Sequence, residues 1–157
     1  MAEELRVRKI RNGTVIDHIS AGSALDVLSI LGVTGKEGYT ISIVLNVPST
    51  MLGKKDIVKI EDRTLDSREV DMIAIVSPEA TINIVKNYRV VDKKPVVLPA
   101  TIKRHIRCIN PNCISNGSEP IVSVLDVVKK TPLQLRCRYC NQMIEKRQIL
   151  NLLGYYT

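Results

Sequence analysis

The sequence predicts an α+β fold in two parts: a domain of alternating strands and helices over residues 1–98, then a small β-rich domain over residues 101–157. In the first hundred positions the apolar residues switch between a period of two and a period near 3.6, the marks of half-buried strands and amphipathic helices. Turn residues separate these stretches. In the second part, all four cysteines fall after residue 107, in two close pairs. The chain has no Phe and no Trp, so both cores must be built from Ile, Val and Leu.

The elements follow in order. Leu5–Ile10 alternates apolar and basic residues, as a half-buried strand does, and runs into the turn signal Asn12-Gly13 and a second extended stretch, Thr14–Ile19. Ser20 and Ser23 offer N-caps for a helix. Its apolar stripe Ala24, Val27, Leu28 and Leu31 falls at i, i+3, i+4 and i+7, and Gly32 stands at its exit. Ile41, Ile43, Leu45 and Val47 alternate with polar residues up to Pro48. A strand over Asp56–Glu61 follows. Asp66 then precedes Glu69 by three residues, a capping-box spacing, ahead of the stripe Val70, Ile73 and Ala74. Ala80–Val85 and Tyr88–Val91 supply the last extended segments. The order β-α-β-β-α-β is that of a ferredoxin-like sheet with both helices on one face. Asp92-Lys-Lys-Pro95 and Pro99 then mark a hinge before the second domain.

Charge is divided unevenly. Residues 1–100 carry 14 Lys/Arg against 13 Asp/Glu, and residues 101–157 carry 9 against 3. A basic face of this size suits an acidic protein partner as well as phosphate. The charged N-terminus and the lack of any long apolar run predict neither a signal peptide nor a membrane span. The expected location is cytoplasmic, where thiols stay reduced.

Cys108-x4-Cys113 is followed by 23 residues and then Cys137-x2-Cys140. Each pair offers two thiolates from one tight loop, and a tetrahedral ion joins the loops. The pattern predicts one structural zinc ion on Cys108, Cys113, Cys137 and Cys140. A redox Cys137-x-x-Cys140 leaves the first pair unexplained, two disulfides need an oxidising compartment, and a catalytic zinc keeps an open position that four thiolates would close. Ile121–Leu125 and Leu133–Arg136 read as strands between the pairs. A module of this size with so few large apolar side chains needs such a crosslink.

Several motifs in order, Arg11-Asn-Gly-Thr-Val-Ile-Asp-His-Ile19, Gly53-Lys-Lys-Asp-Ile-Val-Lys-Ile-Glu61, Ala80-Thr-Ile-Asn-Ile-Val-Lys-Asn-Tyr88, Asn110-Pro-Asn-Cys-Ile114 and Cys137-x-Tyr-Cys140, resemble the regulatory chain of aspartate carbamoyltransferase over nearly the whole length. The resemblance implies a non-catalytic chain. Its first domain would bind nucleoside triphosphates, with CTP, ATP and UTP the candidates, and pair with a second regulatory chain. Its zinc domain would dock on the catalytic chain and so link nucleotide supply to pyrimidine synthesis. By the same resemblance, Lys93 and His18 stand near the phosphates, Asp17 at the ribose, and Lys59 between ribose and base. Backbone groups of Ile10 and Tyr88 read the base with Val90 beside them, and Lys9 begins the same wall. Lys55 is the candidate for a second nucleotide or a bridging magnesium ion. Asn110, Asn112 and Arg138, in the cysteine loops, face the catalytic chain.

Two rival functions are weighed against this. A nucleic-acid-binding zinc ribbon would use the basic second domain, but only Tyr139, Tyr155 and Tyr156 are there to stack on bases. An enzyme would need a catalytic constellation, and the chain has two histidines, His18 and His105, with no Gly-rich phosphate loop. The expected partners are therefore nucleotides and protein chains, with no nucleic acid, no membrane and no catalytic residue.

Overall fold

In the computed structural model, which describes residues 9–152, the middle strand of the first sheet is Gly13–Ser20 (β1). It is followed by Ala24–Ile30 (α1), Ile41–Ser49 (β2), Gly53–Glu61 (β3), Ser67–Val76 (α2), Thr81–Lys86 (β4) and Arg89–Pro95 (β5). The five strands are ordered β2-β3-β1-β4-β5, and each neighbouring pair is antiparallel. The first four form the ferredoxin-like arrangement, and β5 extends it as the outer arm of a hairpin.

Register decides what each face carries. Thr14 pairs with Ile60, and Ile16 pairs with Val58 on one side and Ile82 on the other. These residues share one face and are almost fully buried. Ala24, Val27 and Leu28 of α1 and Met72–Val76 of α2 complete that core. The pairing register shifts between Ile16 and Ile19, where His18 takes a left-handed backbone (φ 55°). This bulge inserts one residue and keeps both isoleucines inward.

Helix ends are tied down by side chains. Asp66 accepts from the Glu69 N–H while Glu69 accepts from the Asp66 N–H, so the capping box read from the sequence is present. Ser23 makes no side-chain cap on α1. Buried Asp56 of β3 does that work instead, accepting from the N–H groups of Gly22 (2.9 Å) and Ala24 (3.1 Å), and from Asn46 of β2 (2.9 Å). Arg63 bonds the Leu31 carbonyl and the Glu69 carboxylate, joining the exit of α1 to the entry of α2.

The second unit begins at Val97, where the first ends at Val96. Thr101–Lys103 (β6), Val124–Lys130 (β7), Leu133–Cys137 (β8) and Met143–Glu145 (β9) form an antiparallel sheet in that order. The helix Lys146–Leu152 (α3) packs on β9. Ile106, Leu125, Leu135, Ile144 and Ile149 are the largest fully buried side chains of this unit among the described residues.

Three sequence expectations need correction, and three elements have no counterpart among them. Residues 5–8 of the expected strand Leu5–Ile10 lie outside the described residues, and Lys9 and Ile10 belong to no strand. Asp92–Pro95 is paired strand, with Thr81 opposite Pro95. An edge position tolerates Pro and exposed charge, which is why this strand resembled a linker. The strand expected over Ile121–Leu125 starts at Val124, because Ile121 donates to the Glu119 carbonyl in a bend. Finally, α3, β6 and β9 have no counterpart among the elements expected from the sequence.

Candidate functional site

The face of the first sheet away from the helices carries a row across all five strands. Ser42 pairs with Lys59, Lys59 with Val15, Val15 with Asn83, and Asn83 with Lys93. Asp17 and Thr81 form the neighbouring pair. On this face lies a cavity of about 360 Å³. Of the residues named from the sequence, Ile10, Asp17, Lys59, Tyr88 and Val90 line it, with Lys9. His18 and Lys93 do not. The His18 ring is instead 3.2 Å from the Thr81 hydroxyl, and Lys93 is exposed on edge strand β5 opposite Asn83.

Charge in this cavity is arranged by burial and pairing. The Asp17 carboxylate accepts from the His18 N–H (2.6 Å) and pairs with Lys55 (3.0 Å), which together fix its direction. Lys55, the candidate for a second nucleotide or magnesium, is thus engaged by Asp17. Burial lowers the pKa of the Lys59 ammonium, and the Asp17 charge partly offsets that. A half-buried cation beside a fixed carboxylate can serve a ligand with both acceptor and hydroxyl groups. Tyr88 closes the cavity from the β4–β5 turn, where both Asn87 (φ 50°) and Tyr88 (φ 66°) are left-handed and the Tyr88 N–H donates to the Arg11 carbonyl.

Three further lining residues, Val15, Asn83 and Val85, escaped the sequence reading. Asn83 is 8% exposed and its amide donates to the Val15 carbonyl. A lone amide in the middle of the apolar stretch Ala80–Val85 was the available signal.

The second site is built by two loops. Cys108 follows β6, Cys113 precedes a short 3-10 turn at Ile114–Asn116, Cys137 ends β8, and Cys140 sits in the turn to β9. All four sulfurs lie within 4.8 Å of one another, with Cys108–Cys140 at 3.6 Å and Cys113–Cys137 at 3.7 Å. A tetrahedral ion with metal–sulfur bonds of about 2.3 Å holds its sulfurs about 3.8 Å apart, so the cluster is positioned to bind a metal ion. Burial pushes the Cys108 thiol up to about 12 and raises Cys137. Burial opposes ionisation of Cys140 too, but hydrogen bonds from the Gln142 N–H and the Asn110 side chain bring it down to about 7. A cation at the centre supplies what the buried thiols lack to ionise together.

The loops are braced around these sulfurs. Asn116 donates to the carbonyls of Cys108 and Asn110 (both 2.8 Å), and the Asn110 side chain accepts from the Asn112 N–H (3.0 Å). In the second loop Asn141, left-handed at φ 62°, donates to the Cys137 carbonyl. Arg138 is exposed and makes a two-pronged ion pair with Asp126 (2.6 and 3.2 Å), which also accepts from Thr101. Among the described residues no helix is long and apolar enough to cross a membrane.

Comparison with known proteins agrees with both halves. The family model described as the aspartate carbamoyltransferase regulatory chain, allosteric domain, matches residues 5–97, and the model of its metal binding domain matches residues 100–150. A protein of Thermofilum pendens named aspartate carbamoyltransferase regulatory chain is 51% identical over 98% of this chain and 97% of its own length. One of the same name from Methanothrix thermoacetophila is 56% identical over 92% and 94%, and one from Saccharolobus solfataricus 47% over 94% and 93%. On these matches, which cover both units, the chain belongs to the family of aspartate carbamoyltransferase regulatory chains.

Proposed function

We propose that this chain is a non-catalytic subunit that binds nucleoside triphosphates in its first unit and carries their signal to a catalytic chain of aspartate carbamoyltransferase. The observation that carries the proposal is the convergence of Ile10, Asp17, Lys59, Tyr88 and Val90, taken from four separate stretches of sequence, on one cavity. In it, Asp17 accepts from ribose hydroxyls and Lys59 reaches ribose and base. Backbone groups of Ile10 and Tyr88 read the edge of the base. Lys93 and His18, outside the cavity, receive the phosphates of CTP, ATP or UTP.

The output end is the cysteine unit. A zinc ion on the four sulfurs sets the shape of the two loops, and Asn110, Asn112 and Arg138 on those loops meet the catalytic chain. Asp126 then acts as the brace that aims Arg138. Pairing with a second regulatory chain is supported by β2, an edge strand whose Ile43 and Leu45 are 41% and 47% exposed. An edge of this kind is a template for another chain.

The test is calorimetric titration of the full chain with CTP and ATP, together with co-purification on the catalytic chain with and without a zinc chelator. Saturable binding of nucleotide and chelator-sensitive co-purification are expected. Absence of both would overturn the proposal.

A further inference from the structure

The four sulfurs are served by different hydrogen-bond donors. Cys108 accepts from the Asn110 N–H at 3.5 Å. Cys137 accepts from the N–H groups of Tyr139 and Cys140. Cys140 accepts from the Gln142 N–H and from the Asn110 side chain. At Cys113, which is 3% exposed, the donor is the Ser115 hydroxyl, 3.1 Å from the sulfur.

The 3-10 turn Ile114–Asn116 puts that hydroxyl in place. The Asn116 N–H donates to the Cys113 carbonyl (2.9 Å), and the Gly117 N–H donates to the Ile114 carbonyl (3.1 Å). Ser115 therefore stands two residues beyond its cysteine on a closed turn. The Asn116 side chain then fastens the turn to the start of the loop through the Cys108 and Asn110 carbonyls. The Asn110 carbonyl also takes the Cys113 N–H (3.0 Å). Both cysteines of the first pair are thus held by residues of their own loop.

Charge gives the hydroxyl its significance. Four thiolates carry two negative charges more than a zinc ion neutralises, and three of these cysteines are buried. Hydrogen bonds to the sulfurs offset that excess, and partners of this kind are worth about 10- to 100-fold in metal affinity. An ionised Cys113 has no proton to give, so the Ser115 hydroxyl must be the donor of the pair.

We infer that Ser115 is a positioning residue of the metal centre: its hydroxyl holds the Cys113 thiolate and slows loss of the ion, while Asn116 keeps the shape of the loop. The inference rests on the zinc ion proposed above for the four cysteines. The two residues act by different means. Ser115 draws electron density from one sulfur, whereas Asn116 bonds backbone carbonyls.

The experiment follows zinc release from the full chain to a chromogenic chelator and records the spectrum of the cobalt(II)-substituted chain. Wild type is compared with Ser115→Ala, Ser115→Thr and Asn116→Ala. Ser115→Ala is expected to release zinc about tenfold faster. It should also move the thiolate-to-cobalt charge-transfer band to lower energy, because a sulfur without its hydrogen bond gives up an electron more readily. Ser115→Thr keeps the hydroxyl and should restore both readings. Asn116→Ala should speed release and leave the band where it is in wild type. Wild-type release in Ser115→Ala, or faster release with an unmoved band, would overturn the role of the hydroxyl and leave the metal centre standing. A wild-type chain that takes up no zinc would overturn the metal reading, and this inference with it.

Discussion

In the first unit Ile16, Ile19, Val58, Ile60 and Ile73 are sealed between a five-stranded sheet and two helices, with Asp56 and Arg63 tying the helix ends to that core. In the second, a four-stranded sheet and the helix α3 enclose a smaller set of isoleucines and leucines, and two of its loops end on a cluster of sulfurs. One unit is held by many modest interactions spread through its layers. The other brings segments 24 residues apart in sequence, Cys113 and Cys137, together at a single centre. The contrast suits what each is proposed to do. A sensor that shifts with ligand gains from distributed bonds that can adjust by small amounts, while a docking module gains from loops that cannot.

The largest effect should come from taking the metal away. Binding of structural zinc to four thiolates is worth on the order of 10 kcal/mol, comparable with the whole stability of a small domain. A strong chelator, or Cys137→Ala, should unfold the second unit and abolish docking on the catalytic chain. The first unit should keep its melting transition and its nucleotide affinity. Calorimetry with metal analysis reads both units in one scan. A chelated chain that still docks, or one whose two transitions collapse together, would break the comparison.

The next effect lies in the first unit. Asp56→Ala leaves the N–H groups of Gly22, Ala24 and Asn46 without their acceptor. The expected cost is on the order of 3 kcal/mol or more, read by denaturant unfolding, with metal content unchanged. Even this residue should not approach the effect of zinc loss. If it did, stability in the first unit would hang on one centre as well.

How much of this was visible beforehand depends on how local the cause is. The stripe Ala24–Leu31 and the Asp66–Glu69 capping box are short-range patterns, and each produced the element it promised, while the two cysteine pairs converge on one cluster. Where a neighbour in space decides, the sequence was silent. Asp56 caps a helix that begins 32 residues before it, whereas the caps the sequence offers are the nearby Ser20 and Ser23. Asp92–Pro95 is a strand because β4 lies alongside, although its own residues are charged and end in proline. The helix α3 is short, and its signal is small: Gln148 reaches back to the Glu145 N–H, and Ile149 and Leu150 face inward. At the cavity, the residues supplied by family resemblance did not include Asn83, which only the register of β1 against β4 brings to the centre of the row.

A smaller effect separates sensing from folding. Lys59→Ala should lower CTP and ATP affinity by about ten- to a hundredfold, the value of a charge-assisted hydrogen bond of roughly 1.5–3 kcal/mol. Lys93→Ala should act in the same direction. Because Lys93 is exposed and outside the cavity, its loss should leave the melting profile unchanged. Titration calorimetry on both variants, beside unfolding curves, makes the check. Unchanged affinity in both would place the nucleotide elsewhere and remove the sensor from the comparison.

The smallest effect tests whether the first unit is held by distributed bonds as claimed. Asp66 is exposed, yet it accepts from the Glu69 N–H at 2.8 Å, and Glu69 in turn holds the Asp66 N–H and Arg63. Removing the cap with Asp66→Ala should cost about 1 kcal/mol. For a unit of this size that lowers the melting temperature by about 4–8 °C. Asp66→Ser keeps an acceptor at the cap and should recover most of the loss, which separates capping from any change in surface charge. The second unit should not respond, since nothing in its sheet or its sulfur cluster involves Asp66. Its transition, followed in the same scan with zinc present, is the internal control. A loss much larger than this in Asp66→Ala would mean that Arg63 and Glu69 collapse with the cap and that one exposed network governs the first unit. The contrast with the metal-centred unit would then be one of chemistry alone, with both units resting on a single joint.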